Sequence, residues 1–435
     1  MNKVGASNRF FYYTMHDKGT FSISYRVVLT QKVNPVILKE AANEALKCYP
    51  EFKCRPVIKN NLITYEENNE SVVIIDSDQK VCEYGSDELN GYLFCFKCAD
   101  YYFRLSFYHG LTDITGSMAY LKNVLYLYSK KLGLEMTPEE EEELLAQIRK
   151  SADEIADQMD AFDPYTKYGN ADSKPEYIYD NRSSFSIQTP QYEEDCDYTH
   201  GSTITLKTDE FLQRTKEYKV SIVPLLVDLI SSAIRKTYQV GDIPVTAMVP
   251  VDLRRFFDSK TLVNFSDGIM IPYEKEDEEL SQNERCAKFK QLMLLQINRE
   301  NAQRIIGNKV ETLKGIESKP GSIYEVADSM CKVPPLDAKR PLTYAMTYPG
   351  KLDLPKALDQ LVDSVVCEPV MRAYATSVNT YKNKLYIQVL HRNDDSTFAQ
   401  CIYDEIKAAG FDARIEDHGH VYADKLILSK LKVAD

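Results

Sequence analysis

The chain has 435 residues, 44% of them hydrophobic and 27% charged, with a net charge of −12. That is the composition of a globular protein large enough for two lobes, each with its own core. The acidic balance excludes bulk nucleic-acid binding, which needs a basic surface, and no apolar run reaches the roughly 20 residues that span a bilayer.

The amino terminus carries no apolar h-region, so no secretory signal is expected. Ten cysteines without regular spacing read as reduced, structural thiols of a cytoplasmic protein. In chain order, the pattern predicts a strand over 21–29, a helix over 35–48 and a strand over 52–58. A further strand over 92–98 holds Cys95 and Cys98. Residues three apart on a strand point to opposite faces, so no metal clamp is expected there. Tyr101-Tyr102-Phe103-Arg104-Leu105-Ser106-Phe107 reads as a buried strand. It runs into Tyr108-His109-Gly110-Leu111-Thr112-Asp113, and a helical pattern follows over 118–132. The acidic run 139–143 after Pro138 reads as a solvated helix start. Residues 161–197 lose periodicity and gain proline, glycine and asparagine, which places a lobe boundary near 185.

The second half predicts a strand over 202–206, helices over 209–218 and 223–238, and a strand over 244–249. A strand over 385–390 then leads to His391, with a helix over 396–409. The order strand, helix, strand, then strand–histidine–helix therefore occurs twice. The expected fold is α/β, with two similar lobes over 1–185 and 186–435, each a mixed sheet covered by helices.

His-x-x-x-Asp occurs at His109/Asp113, His391/Asp395 and His420/Asp424. The third has no helix after it. His109 lies where a rigid strand turns into a helix. An imidazole so placed suits general base work, because its ordinary pKa lies near neutrality. It also suits a satisfied core position. Asp113 can lock the loop through a remote arginine, or it can cap the following helix, as can Thr115. No nucleophilic serine or cysteine is signalled nearby, which favours direct attack by a bound acceptor over an acyl-enzyme. There is no His-Glu-x-x-His, no Gly-x-Gly-x-x-Gly, no phosphate-cradling Gly-rich loop and no Gly-x-Ser-x-Gly elbow. No metal site is expected.

The run 108–113 resembles the His-His-x-x-x-Asp-Gly motif of the chloramphenicol-acetyltransferase-like superfamily, which includes condensation domains. Three further stretches resemble its bacterial alcohol acetyltransferase-like branch. They are Tyr49-Pro50-Glu51-Phe52-Lys53-Cys54-Arg55, the segment 249–265 from Val249-Pro250-Val251-Asp252-Leu253-Arg254 to Asn264-Phe265, and Thr347-Tyr348-Pro349-Gly350-Lys351-Leu352-Asp353-Leu354-Pro355. Tyr108 and Ile114 replace the motif's first histidine and its glycine.

The resemblance implies a tunnel between two lobes, with His109 as the catalytic base and Asp113 as a structural carboxylate. Arg55 is the expected partner of Asp113, with Arg9 and Arg254 as alternatives. Tyr108 and Asn264 are expected to bind substrate, and His391 to have no catalytic role. The implied activity is acyl transfer from an acyl-CoA co-substrate to a small alcohol or amine, with no bound cofactor. Arg254, Arg255, Lys260, Lys339 and Arg340 are available to meet CoA phosphates. The alternatives are a condensation-like enzyme fed by an acyl or peptidyl carrier protein, and a non-catalytic binding member.

Overall fold

The computed structural model describes residues 4–170, 183–187, 197–330, 342–352, 354, 356–370, 374–391 and 396–434. Two main mixed sheets, each covered by helices, build the molecule. The first has five strands in the order Val362–Val370, Ser22–Leu29, Tyr102–Tyr108, Phe94–Cys98, Ile74–Ile75. Along the strand Tyr102–Tyr108, Phe103, Leu105 and Phe107 share one face and Arg104 and Ser106 lie on the other. Phe103, Leu105 and Phe107 pack toward the helices Pro35–Leu46 and Ile114–Lys131, with Phe107 against Phe52 and Tyr120. Arg104 and Ser106 sit opposite Arg26 and Ser24 on the neighbouring strand. Such alternation puts one face of the sheet against a core and leaves the other polar.

The second sheet has seven strands in the order Ser266–Tyr273, Val245–Asp252, Tyr344–Lys351, Ala375–Tyr381, Lys384–His391, Tyr198–Lys207, Ala413–Tyr422. The helix Ile222–Thr237 is apolar nearly all round and lies in this lobe's core beside Thr397–Ala408. A helix hydrophobic on every side is stable only when buried.

The repeated element order has a structural counterpart. Ser22–Leu29 pairs antiparallel with Tyr102–Tyr108, and Tyr198–Lys207 pairs antiparallel with Lys384–His391. A helix follows each histidine-bearing strand. The expected strand near 52–58 forms as Cys54–Lys59, but in a small separate sheet with Leu62–Glu67 and Lys432–Val433. Most of the stretch expected as a linker lies outside the described residues. Its first part folds into the short helices Gln158–Phe162 and Pro164–Tyr168, capped by Asp157 and Asp163. Five-residue helices are too short to show a helical period.

The second half of the chain lends elements to the first lobe. Val362–Val370 joins the edge of the first sheet, antiparallel to Ser22–Leu29. The helices Arg299–Glu317 and Ile323–Met330 also return to the first lobe's core. Asn379, in the second sheet, brackets the crossing strand: its amide donates to the Val365 carbonyl at 2.8 Å and accepts from the Cys367 N–H at 3.0 Å. A buried Glu368 on that strand pairs with Arg26 and Arg104 at 3.1 and 2.9 Å. No described helix is long and apolar enough to cross a membrane.

Candidate active site

His109 follows the last residue of its strand, and its backbone N–H donates to the Phe21 carbonyl at 2.9 Å. The ring is half-buried, with Phe11 at 4.8 Å and Phe21 at 4.5 Å between centroids. Nδ1 lies 2.9 Å from the Thr112 carbonyl oxygen. A carbonyl only accepts, so Nδ1 carries the proton and Nε2 keeps its lone pair. Burial pushes the imidazole down to about 4, and Lys309 adds to that. The Thr112 carbonyl and Asp113 oppose it in part. Charging a ring in a dry site costs solvation, so the neutral base is the stable form.

Asp113 both locks the loop and caps the helix. Arg254 grips it through two bonds, Nη1 to Oδ2 at 2.8 Å and Nη2 to Oδ1 at 3.0 Å. The N–H groups of Phe265 and Gly116 complete the cradle at 2.8 and 3.2 Å. Arg254 in turn donates to the carbonyls of Thr261 and Val263 and to Asp252. This pair is buried on both sides, 4% and 7% exposed, and every charged oxygen has a donor, which is the condition for a buried ion pair to hold.

The partner is therefore Arg254 and not Arg55. Arg55 lies half-exposed, 3.9 Å from Glu66. Arg9 is taken by Glu317 at 2.7 Å. The stretch 49–55 has a different role: its Glu51 is buried and accepts from Arg149, with both oxygens at 2.7 Å.

The segment 261–265 closes over the histidine turn. Asn264 is buried and donates to the His109 carbonyl at 3.1 Å. Thr112 bridges to Val263 and donates to the Leu262 carbonyl at 2.6 Å. Asn264 thus holds the turn and is not on the cavity wall. Tyr108 is also buried away from the cavity, packed on Tyr12 and Tyr84 at 5.3 and 6.0 Å. Neither lines the cavity: Tyr108, next to His109 at the strand end, points to the opposite face, and Asn264 reaches the turn from the segment 261–265.

A cavity of about 480 Å³ opens in front of His109, between the lobes. Phe11, Phe21 and Ile23 line it from the first lobe, and Met248, Met270 and Thr347 from the second. Its wall is mostly apolar with a few polar groups, the usual make-up of a small-molecule site. Asp267 and Lys309 also line it, 2.7 Å apart as an ion pair. Neither they nor the Phe11 and Phe21 rings stand out in the sequence, because nothing local ties them to position 109.

His391 is fully buried and stacks on His200 at 5.3 Å, away from the cavity. Asp395 lies outside the described residues. Of the basic residues offered to CoA phosphates, Arg254 is consumed by Asp113. Arg255 and Lys260 are exposed, and Lys339 and Arg340 lie outside the described residues. Elsewhere, the ligand atoms of Cys82, Cys95 and Asp424 lie within 4.8 Å of one another, fully inside the protein. The buried Lys97 ammonium occupies the cation's place there, 2.5 Å from Asp424.

No protein-family model matches the chain, and no curated protein matches it in sequence. Solved structures do match. TRI101 of F. sporotrichioides, solved with coenzyme A and T-2, aligns over 95% of this chain and 99% of its own, at a TM-score of 0.60 and 8% identity. Polyketide synthase associated protein 5 from Mycobacterium tuberculosis aligns over 92% of this chain and 95% of its own, at 0.58 and 12%. The starter condensation domain of rhizomide synthetase RzmA, solved as a mutant with C8-CoA and Leu-SNAC, aligns over 93% of each chain, at 0.56 and 12%. Two lobes, the interlobe cavity and these full-length alignments together show that the chain has the chloramphenicol-acetyltransferase-like fold that these structures share.

Proposed function

We propose that the protein is an acyltransferase that moves an acyl group from acyl-CoA to a small alcohol or amine, with His109 as general base. The observation that carries this reading is the His109 tautomer: Nδ1–H is fixed on the Thr112 carbonyl, so the basic Nε2 serves a cavity between the lobes. The fold supports it, because TRI101, of the same fold, was solved with coenzyme A.

The chemistry follows from the geometry. Nε2 takes the proton of the acceptor hydroxyl or amine as that group attacks the thioester carbonyl. The tetrahedral adduct collapses, and the departing thiolate takes the proton back from the imidazolium. Asp113 takes no part in proton transfer. With Arg254 and the Phe265 N–H it fixes the loop that carries the ring. Asn264 fixes the same loop from the other side. No covalent acyl-protein forms on this route.

The test is thiol release from acetyl-CoA and octanoyl-CoA with mixed primary alcohols and amines. Release that depends on acceptor and is lost in His109→Ala supports the reading. Undiminished release by His109→Ala, or an acyl adduct in intact-mass spectra, refutes it.

A further inference from the structure

Lys309 is the one cationic side chain among the described residues lining the cavity. It stands on the helix Arg299–Glu317, with its ammonium 5.2 Å from the Tyr165 ring, 5.4 Å from Phe10 and 5.9 Å from Phe11. The Phe11 ring in turn lies 4.8 Å from the His109 ring, so cation and imidazole both neighbour the same aromatic side chain. Asp267 takes one ammonium proton at 2.7 Å. The Tyr165 hydroxyl beside it donates to the Ser266 carbonyl at 2.8 Å. An ammonium has three protons. One carboxylate partner leaves donor capacity for the cavity that Lys309 lines.

A charged pair on an apolar wall is a costly way to fill space, because both ions lose solvation. A charged pair in a cleft is a candidate for chemistry. Resting on the acyltransferase reading, we propose that Lys309 is a further catalytic residue, whose ammonium meets the carbonyl oxygen of the bound thioester. As the acceptor oxygen or nitrogen bonds to the carbonyl carbon, its proton passes to His109 Nε2. The carbonyl π pair moves onto oxygen, facing Lys309. When that pair returns, the C–S bond breaks and the thiolate takes the proton from the imidazolium. A fixed cation at the oxygen stabilises the charge that develops only during reaction, so it lowers the barrier without tightening substrate binding.

The experiment measures steady-state thiol release from acetyl-CoA and octanoyl-CoA, with 1-butanol, 2-phenylethanol and butylamine as acceptors. In Lys309→Met, kcat falls about 10²–10³-fold, the cost of losing one oxyanion donor, while the donor KM is unchanged. Because Lys309→Met leaves Asp267 without its cation, the double variant Lys309→Met/Asp267→Asn is measured alongside it. The pair removed together keeps the melting temperature and stays as slow as the single variant. If the double variant regains wild-type kcat, the defect is the stranded carboxylate and the proposal is overturned. A change confined to KM overturns it too, since that is a binding role. A wild-type protein that releases no thiol with any of these acceptors overturns both this role and the acyltransferase reading. An active wild type with equally active variants overturns this role alone.

Discussion

On the proposed reading, His109 is a base that burial keeps neutral. Its folded value of about 4 lies below the ordinary 6.5, so the ring stays neutral well into acid. The acid limb of kcat/KM is therefore expected near pH 4, not near the usual histidine range, and a rate profile from pH 3 to 8 checks it. Linkage gives a second consequence. Between 6.5 and about 4 the unfolded chain binds a proton that the folded site refuses, so this contribution to stability is complete above 6.5 and fades as pH falls. Urea midpoints across that window should fall less steeply for His109→Gln than for the wild type. His109→Ala should keep its melting temperature at neutral pH and lose turnover by roughly 10²–10⁴-fold, the usual contribution of a positioned base. The sequence pointed to Arg55 as the partner of Asp113, with Arg9 and Arg254 as alternatives, because nothing local marks the one that binds, 141 residues away. Asp113→Ala should cost about 3–5 kcal/mol, the penalty for stranding a buried charge. Arg55→Ala should stay within about 0.5 kcal/mol, as a half-exposed side chain with a loose partner does. Equilibrium unfolding of both variants decides between the two arginines.

At the scale of elements, the strand–turn–helix around His109 was legible because an alternating aromatic strand and a long helical pattern flank it. The clamp over it was not legible as such. Segment 261–265 has no periodicity, and its work is done by backbone groups that any residue supplies: the carbonyls of Leu262 and Val263 and the N–H of Phe265. Gly116 shows how closely the two elements meet. A Cβ placed there would lie 2.0 Å from the Leu262 carbonyl oxygen and 2.4 Å from Thr112 Oγ1. The first is rigid backbone, so the helix start would have to move away from the clamp. Gly116→Ala, ordinarily favourable in a helix, should instead destabilise by about 1–3 kcal/mol, the usual cost of overpacking. It should also lower turnover, because the turn that carries His109 moves with it. A variant as stable as the wild type in a denaturant titration would show that the helix and the clamp are not locked together.

For the whole molecule, element order in the sequence conveys two similar lobes, yet it hides how they are joined. A strand reads the same wherever its partner lies, and nothing in the run 362–370 announces that it pairs with the strand at 22–29. That crossing has an energetic consequence. The first lobe takes an edge strand from Val362–Val370, and its core takes Ala302, Ile306, Leu313 and Ile316 from a helix far past residue 185. A fragment of residues 1–185 would expose the apolar surface those groups cover, leave Arg26 and Arg104 without Glu368, and open the edge of Ser22–Leu29 to other chains. Each is a recognised cause of instability or aggregation. The fragment should therefore fail to give a cooperative thermal transition. Adding residues 186–435 as a separate chain should restore one only if both fragments assemble, because the second supplies the missing strand and helix. Near-UV circular dichroism during heating, with size-exclusion chromatography, is the measurement. A monomeric 1–185 fragment that melts sharply would mean that the crossing strand decorates the first lobe and does not complete it.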